Sequence, residues 1–492
     1  MLKHYIIFIF CLIIITININ AQEFDFLSKL NIDIQNFKKD NDLLNASIGI
    51  YAVDINSGIV LTDINSDLSL VPASTLKIIT TSAALEIFGK DYRFETTVQY
   101  DGIIDSSGIL WGNIYIKGGG DPTLGSKMFN KYYYEPFFID QWTEAIKNLG
   151  IKTISGSIIG DSQIFGEEYI QDTWIWGDIG NYYGPCISGL SIFDNEYEVI
   201  VKPGLKTGDS TTILRINPEL KGIKFYNKLV TSTYDNSNIF GSLYDDKRYI
   251  TGTIPIKNNE YVIKGSLPNP TLLAAQSLND NLIKHGVFIA QAPTTSTSND
   301  YINLKNNRKN IFITYSPTLE EILYYTNTYS MNLYAEALLK QIGLNYDKNN
   351  KSESNVSKLI RFWNSKGIDT KGLFLNDGCG LSRYSGVTAR QLVDILVYMK
   401  TKSKYFDSFY NSLPIAGKSG SLKHMCNNSS AEGNIHAKTG YITRVRSYTG
   451  YVKTKSGKDV AFAIMVNNFS CSPAEMKNKI EKIMIDFSEL SF

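Results

Sequence analysis

The sequence predicts an α+β domain whose sheet is assembled from both ends of the chain, with a β-rich insertion opening near its front. Three observations carry this. Two strand-like runs and a helix occupy residues 47–89, and strand-like runs return over residues 436–467. Between about 93 and 265 the texture changes to short strand-like pieces broken by Gly, Asp and Asn. At 492 residues, 43% hydrophobic and 20% charged, the chain suits a folded protein longer than one ordinary domain. Its net charge of +1 argues against a nucleic-acid partner.

The chain opens MLKHYIIFIFCLIIITININAQ. A short basic start, an apolar run from Tyr5 to Ile17 and small Ala21 have the layout of a secretory signal over residues 1–21. The alternative is an uncleaved anchor, for which the run is short. No later stretch is apolar for long enough to span a bilayer. An exported protein is expected, with the periplasm as its compartment; peripheral wall or membrane association stays open. The cysteines beyond the signal, Cys186, Cys379, Cys426 and Cys471, form no CxxC pair and no zinc spacing. Their even number permits disulfides without requiring them, and free buried thiols are expected. His285, His424 and His436 stand apart without metal-ligand spacing. No metal and no cofactor is called for.

SIGIYAVDINSGIVLTDIN reads as two strands joined at Asn56-Ser57-Gly58, and VPASTLKIITTSAALEIFG as a helix that starts after Pro72 and ends at Gly89. Helices follow at NPTLLAAQSLNDNLIKHG, through PTLEEILYYTNTYSMNLYAEALLKQIG and at ARQLVDILVYMK. NIHAKTGYI, VRSYTGYV and DVAFAIMVNNF read as strands, and PAEMKNKIEKIMIDF as a closing helix. The domain assignment is residues 22–92 and 266–492 for the catalytic part and 93–265 for the insertion.

Three short elements carry chemistry: Ser74-Thr75-Leu76-Lys77, Ser330-Met331-Asn332 and Lys438-Thr439-Gly440. A serine hydroxyl is a weak nucleophile until a base takes its proton. One helical turn separates Ser74 from Lys77, so both can face one cleft. A lysine acts as base when a second cation makes its own charge costly, and Lys438 can supply that cation. Ser330 can relay the proton toward a leaving amine, and Asn332 can hold Lys77 and substrate backbone. Lys438 and Thr439 suit a substrate carboxylate. Backbone N–H groups at Ser74 and at Tyr441, just past Gly440, can form an oxyanion hole. Lys206-Thr207-Gly208 and Ser277-Leu278-Asn279 repeat two of the patterns, but the first lies in a turn-rich stretch and the second within a helical run.

S-x-x-K, S-x-N and K-T-G in this order resemble the signature of penicillin-binding proteins and class A β-lactamases. Further segments, GGGDPTL, GDSQIF, WGDIGNYYG, SMNLYAE, DGCGLSR and HAKTG, resemble the D-alanyl-D-alanine carboxypeptidase/endopeptidase family, the class C type-4 penicillin-binding proteins. The resemblance covers nearly the whole mature chain. It implies a serine β-lactamase/penicillin-binding-protein-like transpeptidase domain, an antiparallel sheet flanked by helices, carrying nested β-rich inserted domains. It also implies hydrolysis of D-Ala-D-Ala-type peptidoglycan stem peptides through a Ser74 acyl-enzyme, with β-lactam antibiotics as covalent inhibitors.

By the same resemblance Asp161 in GDSQIF would meet the amino end of a substrate side chain, and Arg383 in DGCGLSR its carboxylate. A turn-capping aspartate and a structural salt bridge are the respective alternatives. Three positions depart from the family's usual residues: Cys379 stands for Ser, Met331 for Asp, and Tyr441 for a small hydroxyl residue. A β-lactamase or esterase of the same fold and an inactive wall-binding scaffold are the rival functions.

Overall fold

A computed structural model describes residues 29–256, 259–297, 307–348 and 352–492. The expected signal, residues 1–21, lies outside them. No helix among the described residues is long and apolar enough to cross a membrane. The chain divides into two compact units, one holding the described residues of 1–89, Leu323–Ser330 and 350–492, the other those of 90–322 and 331–349.

The first unit is built on a five-stranded antiparallel sheet. Its order is His436–Ile442, Val445–Lys453, Asp459–Asn467, Ser47–Asp54 and Val60–Ile64. The strand nearest the amino terminus therefore pairs with the last strand, Ser47 opposite Asn467 and Asp54 opposite Val460. A sheet drawn from both chain ends is what the sequence predicts. Seven of the eight residues of Ser47–Asp54 are buried because both faces of the strand are covered. Ile48, Ile50 and Ala52 join Phe462, Ile464 and Val466 in a core closed by Leu30, Ile34, Ile480 and Phe487 from the terminal helices. Gly49, of opposite parity, faces Ala389 at the start of the helix Ala389–Thr401.

The helix Lys77–Phe88 is buried from Lys77 through Leu85. Its sequence, KIITTSAALEIF, has no polar stripe to turn toward water, which suits a helix enclosed by protein. Gly89, at φ 79°, ends it, and its N–H donates to the Leu85 carbonyl at 2.9 Å.

The second unit contains several small sheets. One orders Thr294–Thr295, Ile158–Asp161, Ile114–Lys117, Glu95–Tyr100 and Lys309–Tyr315. Another centres on Glu196–Lys202 between Thr212–Asn217 and Tyr261–Ser266, and a third on Lys247–Pro255. Residues 266–322, grouped with the catalytic part on sequence, belong to this compact unit. The reason is pairing: Lys309–Tyr315 runs antiparallel to Glu95–Tyr100, from Lys309 opposite Tyr100 to Tyr315 opposite Glu95.

The run 317–343 holds two helices, Leu319–Thr328 and Asn332–Asn345. Ser330 lies between them at φ 61°, a left-handed conformation that interrupts the helical ladder.

Candidate active site

Ser74 sits in a tight turn of helix, Ala73–Leu76, immediately before Lys77–Phe88. Ala73 is held at φ 48°, a conformation costing a non-glycine residue about 1–2 kcal/mol. The surroundings hold it there. Thr75 Oγ1 and Ser447 Oγ both donate to the Pro72 carbonyl, at 2.7 and 2.5 Å. Asn467 clamps the preceding residue, accepting from Val71 N–H at 2.8 Å and donating to its carbonyl at 3.1 Å. The strained turn leaves Ser74 only half-buried, whereas Lys77 is fully enclosed.

Lys77 Nζ reaches back one turn to Ser74 Oγ at 2.9 Å and also donates to the Cys379 carbonyl at 2.8 Å. Lys438, on the edge strand His436–Ile442, donates to Ser330 Oγ at 3.0 Å and to the Thr439 carbonyl at 2.9 Å. Burial first, and then the charge of Lys77, push Lys438 well below the ordinary lysine range. The structure thus brings Ser74, Lys77, Ser330 and Lys438 together: two buried amines, each on a serine hydroxyl, with electrostatic repulsion between them. This arrangement can take a proton from Ser74 and return one to a leaving group.

Glycine at position 440 is a requirement of close approach. A Cβ there would lie 2.2 Å from Ser447 Oγ, 2.6 Å from the Pro72 carbonyl oxygen and 3.1 Å from Thr75 N. The Lys438-Thr439-Gly440 strand therefore lies flush against the nucleophile turn. Beside it, Thr439 Oγ1 donates to Ser421 Oγ at 2.8 Å, and Tyr441 is exposed, its ring facing the Arg446 guanidinium at 5.3 Å. The decoy motifs occupy other settings, Lys206–Gly208 a loop and Ser277–Asn279 the helix Pro270–Lys284.

Asn332 is the first residue of Asn332–Asn345 in the second unit, where its Nδ2 donates to the Tyr183 carbonyl at 2.6 Å. Asp161, also in that unit, is buried and already engaged. Arg308 donates to its Oδ2 at 2.6 Å, while Ser296 Oγ and Gln163 N–H both donate to Oδ1 at 3.2 Å. Arg383, in the first unit, has only a 3.5 Å contact to the Thr443 carbonyl, and no carboxylate pairs with it among the described residues.

Two further participants come from the segment 377–383. The Cys379 carbonyl is a ligand of the Lys77 ammonium, and Asp377 shapes the loop that presents it. The buried Asp377 carboxylate accepts from Gly380 N–H at 2.9 Å and Ser382 N–H at 2.7 Å. The Cys379 thiol is buried and unbridged, as is that of Cys186. Gly380 sits at φ 83°, where a Cβ would lie 1.9 Å from the Ala73 carbonyl oxygen. Gly380→Ala is therefore expected to destabilise the protein by about 2–4 kcal/mol and to slow acylation of Ser74. Thermal melts with parallel acylation kinetics check both; an unchanged melt would contradict the packing described.

The chain matches the family model described as the D-Ala-D-Ala carboxypeptidase 3 (S13) family over residues 30–488. It is 28% identical over 475 residues to a D-alanyl-D-alanine carboxypeptidase of Actinomadura sp. (strain R39), covering 92% of this chain and 83% of that protein. It is 27% identical over 439 residues to penicillin-sensitive carboxypeptidase A of Dictyostelium discoideum, with 85% and 81% covered. Among solved structures it is similar to penicillin binding protein 4 (dacB) from Haemophilus influenzae. There the TM-score is 0.74 and the identity 21%, over 92% of this chain and 97% of the other, which establishes a shared fold. With the match spanning nearly the whole chain, the protein belongs to the D-Ala-D-Ala carboxypeptidase 3 (S13) family of serine peptidases.

Proposed function

We propose that the chain hydrolyses D-Ala-D-Ala-terminated peptidoglycan stem peptides, as a carboxypeptidase and as an endopeptidase on cross-links, with Ser74 as nucleophile. The observation that carries this is the 2.9 Å contact between the buried Lys77 amine and Ser74 Oγ, with Lys438 and Ser330 paired beside it. Ser74 Oγ attacks the penultimate carbonyl carbon as its proton passes to Lys77 Nζ. The C–N bond then breaks, and the leaving amine takes a proton through Ser330. Water attacks the resulting ester, giving a carboxylic acid and restoring the Ser74 hydroxyl. Lys438 and Thr439 receive the substrate's terminal carboxylate, the Ser74 and Tyr441 N–H groups its developing oxyanion, and Asn332, two residues beyond Ser330, its backbone.

β-Lactams would acylate the same hydroxyl. The Haemophilus influenzae protein of the same fold has been solved "complexed with novel beta-lactam (CMV)", and the Dictyostelium relative is named penicillin-sensitive. The periplasm is the compartment consistent with this substrate. Release of D-alanine from a diacyl-L-Lys-D-Ala-D-Ala tripeptide tests the reading. Rapid turnover of benzylpenicillin with no D-alanine released would favour a β-lactamase instead.

Arg383, which no carboxylate pairs among the described residues, is placed to bind the side-chain carboxylate of a diaminopimelate-type stem. Asp161, held by Arg308, fits the turn-capping alternative better than a substrate contact. Arg383→Ala is accordingly expected to raise KM about tenfold on carboxylate-bearing peptides and to leave simple acyl-D-Ala-D-Ala unchanged. Asp161→Ala should affect both substrates alike. The reverse pattern, with Asp161→Ala selective and Arg383→Ala not, would reassign the two residues.

A further inference from the structure

The second unit contains a cavity of about 340 Å³ lined by none of the residues assigned to the reaction. Its walls are the apolar side chains of Tyr134, Phe137, Phe193, Met128 and Pro218. Its polar lining comes from the sheet centred on Glu196–Lys202 and from Lys127 and Asp194. Lys264 Nζ donates to Glu196 Oε2 at 2.7 Å, and Asn217 Nδ2 donates to Glu198 Oε2 at 3.1 Å. The Glu196 side chain is 12% exposed, and burial, partly offset by Lys264, raises its carboxyl to about 7.

Backbone strain fixes one wall in place. Phe193, Asp194 and Asn195 lie consecutively at φ 54°, 56° and 51°, three non-glycine residues in the left-handed region. They are locked by side chains. The Asp194 carboxylate accepts from Tyr334 Oη at 2.5 Å and Ser126 Oγ at 2.9 Å. Asn195 donates to the Cys186 carbonyl at 2.7 Å and accepts from Ile192 N–H at 3.0 Å. Strain of this kind persists where the surroundings over-determine it, and it concentrates at sites that must present a fixed shape.

The chemistry of the lining selects a ligand class. The carboxylates are already answered within the protein, Glu196 by Lys264, Asp194 by two hydroxyls and Glu198 by Asn217. A cationic ligand would have to compete with Lys264 for Glu196, and an anionic one, although Lys127 also lines the cavity, would face three carboxylates. A neutral polyhydroxyl ring would not: its vicinal hydroxyls both donate and accept, matching an adjacent carboxylate and ammonium. Its C–H face suits aromatic walls. The volume is of the order of a single ring with a substituent, at the small end of ligand pockets. We propose that this cavity binds a neutral pyranose sugar residue, stacked on Phe137 and Phe193 and held by Glu196 and Lys264.

The inference does not rest on the hydrolase reading, and its test is separate. Saturation-transfer NMR titrations of the full chain use N-acetylglucosamine, cationic glucosamine and anionic glucuronate at millimolar concentration. The neutral sugar is expected to bind saturably and in preference to the other two. Phe137→Ala and Lys264→Met, which leave the Ser74 centre untouched, should each weaken it at least about tenfold while D-alanine release persists. Absence of saturable binding, preference for either charged sugar, or affinity unchanged in both variants would overturn the proposal.

Discussion

Ser74→Ala is expected to lose both D-alanine release and covalent labelling by benzylpenicillin, with turnover falling at least about 10³-fold. The size of the effect follows from what the hydroxyl does. In the proposed mechanism it is the atom that bonds to the substrate, and Lys77 Nζ lies 2.9 Å from it. Fold loss should not accompany activity loss, because the turn is pinned by Thr75, Ser447 and Asn467 rather than by the Ser74 side chain. A melting temperature close to wild type, alongside absent labelling, is the expected pair of results. Full labelling of the variant would remove Ser74 from the mechanism.

Lys438→Met should lower kcat/KM near neutral pH by about 10²-fold or more and change the shape of the pH profile. Burial and the Lys77 charge make Lys438 release its proton well below the ordinary lysine value. Repulsion is mutual, so the pair titrates as a coupled unit. Without Lys438 the pair loses the amine that gives up its proton early. The acid limb of kcat/KM therefore moves to higher pH; an unmoved limb, or one displaced to lower pH, would contradict the coupling. Stability carries the same sign. Unfolded Lys438 keeps its proton to about 10.5 whereas the folded residue loses it earlier, so wild-type stability rises with pH across that interval. The methionine variant should flatten the rise.

Much of this was legible in the sequence, for identifiable reasons. Ser74 and Lys77 are separated by one helical turn, so spacing alone brings their side chains together. The Lys438 strand and the Ser47–Asp54 strand have the alternation and turns that mark a sheet, and their pairing partners sit at the two chain ends. The break at Ser330 was not legible. The run around it is compatible with one continuous helix, and the left-handed backbone at φ 61° leaves no trace in periodicity. Nor could spacing reveal that the Cys379 carbonyl binds Lys77, since a main-chain oxygen has no residue identity. The Asp161–Arg308 pair spans 147 positions, a separation over which sequence offers no cue to partnership. The family resemblance therefore suggested a substrate role for Asp161 at a residue whose charge is already taken.

One hydroxyl, activated by a buried amine one turn away, is expected to become acylated. Brief exposure of the full chain to benzylpenicillin, then proteolysis and mass spectrometry of the fragments, tests it most directly. One penicilloyl group is expected, on the peptide that contains Ser74. An acyl group on a different peptide, or an unmodified protein, would contradict it.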